Sequence, residues 1–108
     1  SAAGNTLYGT DEKSIVHALS GSGGAALWKQ DKLLYRTVTA PAALGATVVV
    51  GDYKGMVHFL SAANGNFMAR VATDGSAISG PPLVLEAGAR RLIFVQTAAG
   101  GLFAFEIQ

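Results

Sequence analysis

One pattern is written three times along this chain, at a spacing that few folds can use. The run Asn5-Thr6-Leu7-Tyr8-Gly9-Thr10-Asp11-Glu12-Lys13-Ser14-Ile15-Val16-His17-Ala18-Leu19-Ser20 registers without a gap on residues 46–61 at an offset of 41 residues. Asp11 falls on Asp52, Lys13 on Lys54, Val16-His17 on Val57-His58 and Leu19-Ser20 on Leu60-Ser61. The register continues through Gly24 on Gly65, Leu27 on Met68, Lys29 on Arg70 and Pro41 on Pro82. A third copy, residues 91–105, follows the second at an offset of 45, and its four extra residues are assigned to the loop 86–90. A period near 41 fits propeller blades or helical repeats such as HEAT.

Local pattern decides between them. Thr47 to Gly51 and Leu92 to Gln96 are β-branched and apolar without alternation, as in strands covered on both faces. Val57-His58-Phe59-Leu60 and Ile15-Val16-His17-Ala18-Leu19 have strand composition and length. Asp52-Tyr53-Lys54-Gly55 and Thr97-Ala98-Ala99-Gly100 read as tight turns, with Gly where a positive φ is required. No segment holds a 3.6-residue apolar period for three turns, and Gly or Pro interrupts every candidate helix. The unit is therefore four strands, in the central copy roughly 38–44, 47–52, 56–61 and 66–72.

The fold predicted is all-β: stacked β-propeller blades of four antiparallel strands. Residues 5–32 supply the last three strands of one blade, 37–73 a complete blade, and 78–107 the first three strands of a further blade. At 41 residues per blade, 108 residues make about two and a half blades, a cut through a larger closed structure. Composition agrees: 19 Ala and 14 Gly suit sheets packed closely on both faces. Apolar faces and strand edges left open at both ends predict that such a piece self-associates or needs the remaining blades.

Several function classes fall away. Net charge is +1, and the nearest thing to a basic stripe is Arg90-Arg91, so no nucleic-acid surface is expected. No apolar run approaches the roughly 18 residues of a membrane span, and no signal peptide is read at the N-terminus. Ser1-Ala2-Ala3-Gly4 reads as loop or an appended scar. Cys is absent, which removes disulfides, thiolate metal sites and a Cys nucleophile.

Val16-His17-Ala18-Leu19-Ser20-Gly21-Ser22-Gly23-Gly24-Ala25-Ala26-Leu27-Trp28-Lys29 resembles the quinoprotein (PQQ-like) propeller repeat. Ser20 and Gly23 stand where that motif has Asp and Thr. Trp28 is retained, and its counterpart in the next copy is Ala69. Downstream, Thr39-Ala40-Pro41, Val49-Val50-Gly51-Asp52 with Gly55 and His58, Gly65-Asn66-Phe67-Met68-Ala69, and Gly101-Leu102-Phe103-Ala104-Phe105 are similar to the last blades of the BamB family. The resemblance covers roughly residues 5–107. It implies an eight-bladed, non-catalytic propeller on the periplasmic face of the outer membrane, anchored by an N-terminal lipidated Cys. It also implies binding to the POTRA domains of BamA within the β-barrel assembly (BAM) complex. On this resemblance the chain is a C-terminal fragment, and the BamA-contacting residues are expected mainly in earlier blades.

The candidate residues divide accordingly. His17 and His58 occupy equivalent positions, but the third equivalent is Phe103, so a flat packing ring is expected there rather than a metal ligand. Asp11 and Asp52, matched by Thr97, are expected to accept backbone N–H groups at turn starts. Asp74-Gly75-Ser76 reads as loop. Trp28, Gly51, Asp52, Gly55, His58 and Gly65 are expected to be structural repeat positions. Tyr35, Arg36, Tyr53 and Lys54 pair aromatics with cations on loops and are the candidate partner-binding residues. No catalytic residue, cofactor or metal site is expected: Glu12, Glu86 and Glu106 are scattered, and Gly21-Ser22-Gly23-Gly24 lacks both a nucleophile elbow and a phosphate-loop Lys. Two other readings stay open, a fragment of a PQQ-dependent dehydrogenase and a propeller domain with some other ligand.

Overall fold

The computed structural model describes residues 2–3 and 6–107, with side chains from Thr6 onward. The described residues form three antiparallel sheets. The first orders β1 (Ala2–Ala3), β2 (Thr6–Thr10), β3 (Val16–Ser20) and β4 (Ala26–Gln30). The second orders β5 (Ala42–Leu44), β6 (Thr47–Gly51), β7 (Met56–Ser61) and β8 (Phe67–Ala72). The third orders β9 (Leu83–Ala87), β10 (Arg90–Gln96) and β11 (Leu102–Ile107), with β10 in the middle. Asn5, where the sequence pattern starts, lies outside the described residues, as do Ser1 and Gly4. Ala2 and Ala3 are not loop: they pair with Leu7 and Thr6.

The second sheet is the filling of a sandwich. Val48, Val50 and Leu60 pack with Tyr8, Val16, Ala18 and Leu33 on the first sheet's side. Val49, Val57 and Phe59 pack with Ile93 and Val95 on the third sheet's side. Every residue of β6 is buried, which is why its sequence carries no polar alternation. Fully burying each valine contributes on the order of 1.5–3 kcal/mol. The third sheet departs from that pattern. In β10, Ile93 and Val95 are buried while Leu92 and Phe94 are only half-buried, because no described sheet covers its outer face.

Two boundaries also differ from the sequence reading. Residues 38–41 are not strand: Pro41 offers no N–H to a ladder. The Thr39 N–H instead donates to the Gly51 carbonyl, and the Thr39 hydroxyl accepts the Gly51 N–H. The four extra residues of the third copy do not enlarge a loop. The β5–β6 hairpin has strands of three and five residues and the β9–β10 hairpin strands of five and seven, each around a two-residue connection. The insertion lengthens both strands by two residues.

Candidate functional site

The turn between β6 and β7 is built around one carboxylate. Asp52 Oδ1 accepts the backbone N–H groups of Lys54 at 2.9 Å and Met56 at 3.0 Å. Its Oδ2 meets His58 Nε2 at 2.8 Å and accepts Arg36 Nε–H at 3.1 Å. A carboxylate only accepts, so Nε2 carries the proton in that bond. Both partners are sealed, Asp52 at 0% and His58 at 2% exposure. Burial pushes the Asp52 carboxyl up, but the bonds from His58, Met56, Lys54 and Arg36 outweigh it and hold the group below its ordinary value.

The first copy repeats this arrangement on an open face. Asp11 accepts Lys13 N–H at 2.9 Å and Ile15 N–H at 3.0 Å, and meets His17 Nε2 at 2.9 Å. Val16 and Ala18 face the second sheet, so His17 points the other way, where no described sheet lies. His58 points toward the first sheet, and the loop after β4 closes over it. Sheet stacking and this loop together make one Asp–His pair buried and the other half-exposed. In the third copy Phe103 replaces the His and packs against the second sheet, and Thr97 replaces the Asp. The carboxylate there comes from a different loop: Thr97 Oγ1 donates to Asp74 Oδ2 at 2.6 Å, and Ser76 donates its N–H and hydroxyl to Asp74 Oδ1.

The four candidate partner-binding residues lie on two adjoining loops. Tyr53 N–H donates to the Arg36 carbonyl at 3.2 Å, while Arg36 reaches Asp52 in the same turn. Tyr35 holds a positive φ of 62° and is 73% exposed. Lys54 Nζ stands 5.7 Å from the centre of the Tyr53 ring. Of the structural positions, Trp28 crosses from the first sheet to the second, where its Nε1–H donates to the Ala62 carbonyl at 2.9 Å. Its ring lies against Gly65, which has a φ of 76°. Gly51 leaves room for Ile78, and Gly55 turns with a φ of 81°. Among the described residues no three His, Cys, Asp or Glu side chains group as a metal site.

No family model matches the chain. Outer membrane protein assembly factor BamB of Burkholderia pseudomallei is 47% identical over 99 residues, which is 92% of this chain and 25% of that protein. The crystal structure of BamB from Moraxella catarrhalis superposes with a TM-score of 0.84 at 27% identity, over 95% of this chain and 30% of that one.

This chain is a BamB homologue.

It spans about a quarter of the length of the curated BamB relatives it matches. A quinohemoprotein alcohol dehydrogenase from Pseudomonas putida also superposes, with a TM-score of 0.74 over 97% of this chain and 18% of that one. Its 22% identity carries the propeller fold and nothing more. The Asp–His bond of this BamB homologue differs from the sequence expectation, which assigns the His positions to packing rings. The signal was present in the repeat. Asp and His stand six apart in two copies, and both are lost together in the third, as Thr97 and Phe103. Residues that change together across copies of one repeat mark a contact.

Proposed function

We propose that the chain forms part of a non-catalytic, protein-binding scaffold of the outer-membrane β-barrel assembly complex, binding the POTRA domains of BamA as part of a complete propeller. The observation that carries this reading is the 47% identity to BamB over 99 residues. The three sheets are then consecutive blades of an eight-bladed ring: 5–32 from one blade, 37–73 a whole blade, 78–107 from the next. The whole protein would then sit at the periplasmic face of the outer membrane. Tyr35, Arg36, Tyr53 and Lys54 form a loop patch of the type enriched at protein interfaces, two aromatics with two cations on a rigid frame. The test is affinity isolation of the tagged full-length parent from detergent-solubilised outer membranes. BamA is expected to co-purify near stoichiometrically. Its absence from a preparation with normal outer-membrane protein content contradicts the reading.

The isolated chain is expected to associate. Leu83, Leu85 and Leu102 stand on the uncovered face of the third sheet at 71%, 50% and 72% exposure, and Leu7 and Leu27 stand on the uncovered face of the first. Such apolar patches on stacked sheets seek cover. Light scattering is expected to give a mass well above 11.0 kDa, falling toward the monomer when Leu83 and Leu102 are both changed to Lys. A monomeric unsubstituted chain at the same concentration contradicts this.

A further inference from the structure

A cleft of about 430 Å³ opens between the loop after β4 and the edge of the second sheet, lined by Lys32, Leu33, Arg36, His58 and residues 67–70 of β8. Its volume lies in the range of ligand sites. Two features set it apart. First, β8 is the edge strand of its sheet. Phe67 and Arg70 pair with Leu60 and His58 and face the first sheet, whereas Ala69 pairs with Phe59, which packs on the other side. A bulge opposite Phe59 and Leu60 lets Phe67 and Arg70 share a face although they stand three apart, but Ala69 still turns to the other face. The cleft therefore wraps the open edge of β8, where backbone N–H and C=O groups have no strand partner.

Second, the cleft is cationic. It gathers three of the chain's eight Lys and Arg residues, Lys32, Arg36 and Arg70. Among the described residues neither the Lys32 ammonium nor the Arg70 guanidinium has an ion-pair partner. Of the nearby carboxylates, Asp52 is already engaged by His58 and Arg36, and the exposed Asp31 precedes Lys32 on the same loop without an ion pair to it among the described residues. At the cleft wall His58 Nδ1 is buried with no hydrogen-bond partner. Leu33, Phe67 and Met68 supply apolar wall between these charges.

We infer that the open edge of β8 and this cleft form a binding site for an acidic, extended peptide of a partner protein. The peptide adds a strand beside β8 through main-chain hydrogen bonds. Its carboxylate side chains meet Lys32, Arg36 and Arg70, and its apolar side chains lie against Leu33, Phe67 and Met68. Every group named belongs to this chain, so the site does not depend on the assembly reading above, and either can fail without the other.

The test uses a fluorescent pentapeptide of alternating valine and glutamate, its glutamine counterpart, and free glutamate as competitor, titrated against the full chain at low salt. The acidic peptide is expected to bind roughly tenfold more tightly than the glutamine peptide, since charge-assisted bonds are about twice as strong as neutral ones. The double variant Lys32→Glu/Arg70→Glu changes two exposed side chains outside the core. It is expected to lose roughly tenfold in affinity with an unchanged circular dichroism spectrum. Amide exchange at residues 67–72 is expected to slow on binding, and free glutamate is expected not to compete. Equal affinity for the two peptides, no binding of either, or protection confined to another strand overturns the inference. Competition by free glutamate at the peptide's own concentration overturns the strand and leaves only a small-anion pocket.

Discussion

Replacing Asp52 by alanine is expected to destabilise the chain by about 3–5 kcal/mol, the range for breaking a buried charged network by removing one partner. Four donors lose their acceptor at once: two turn N–H groups, His58 Nε2 and Arg36 Nε. Water cannot replace it for His58, which is sealed with Asp52, whereas the 36%-exposed Arg36 can turn to solvent. Asp52→Asn should fall between wild type and alanine. Its amide oxygen keeps the two turn N–H groups, but its NH₂ then faces the donors of His58 and Arg36. The matched change, Asp11→Ala, removes a carboxylate with the same turn and His bonds, yet its donors can turn to solvent, so the loss should resemble an ordinary surface substitution. Urea titrations at one fixed chain concentration make the comparison, since association would otherwise shift the midpoints. Equal losses at the two positions would mean that burial is not what gives the motif its strength.

The same carboxylate gives the chain an acid-side weakness. Asp52 is held below its ordinary value of 3.8 when folded, so the folded state favours its charged form. Its contribution is complete above the unfolded pKa and is lost as pH falls through the folded one. The loss therefore lies below about pH 4. Wild type should become less stable there, and Asp52→Asn should show a flatter acid limb. Asp11 and Asp74 are lowered in the same direction, Asp11 chiefly by His17 and Asp74 chiefly by the Ser76 hydroxyl, but both are open to solvent and weigh little.

How much of this was legible beforehand depends on whether a feature is local or arises between copies. The buried β6 was readable from Thr47-Val48-Val49-Val50-Gly51, because a strand covered on both faces has nowhere to place a polar residue. The turns were readable from Gly55 and Gly100, since φ values of 81° and 94° exclude most side chains. In the first copy the same place is held by Ser14 at a φ of 69°. That substitution is compensated by a bond no local pattern reveals, the Ser14 hydroxyl accepting the Val38 N–H at 3.1 Å. The burial of His58 and exposure of His17 could not be read from nearly identical neighbourhoods, because the difference lies in which sheet stands in front of each. The adjoining placement of Tyr35-Arg36 and Tyr53-Lys54 likewise depends on a bond between loops seventeen residues apart, Tyr53 N–H to the Arg36 carbonyl. Asp74 looked like loop and is loop, yet its carboxylate serves a turn 23 residues away.

Gly65→Val is expected to be about as damaging as the loss of Asp52, and for two separable reasons. At a φ of 76° a β-branched residue is strained by about 1–3 kcal/mol wherever it stands. At this position a Cβ would also overlap the six-membered ring of Trp28. That ring cannot retreat easily: it is tied to the Ala62 carbonyl through Nε1 and packs 6.1 Å from Tyr8, while Gln30 Nε2 donates to the Gly65 carbonyl at 2.9 Å. Displacing it opens the seam between the first two sheets, where overpacking adds a further ~1–3 kcal/mol. Gly75→Ala isolates the backbone component, because Gly75 has a φ of 88° and nothing within 4 Å of its would-be Cβ. Its expected loss is about 1 kcal/mol. Gly65→Ala should lie between the two, and pairing Gly65→Ala with Trp28→Ala should be less than additive, because removing the indole relieves the overlap while the backbone strain stays. Strictly additive losses would mean that Trp28 and Gly65 do not press on one another, and that the seam is held by the Val48, Val50 and Leu60 cluster alone.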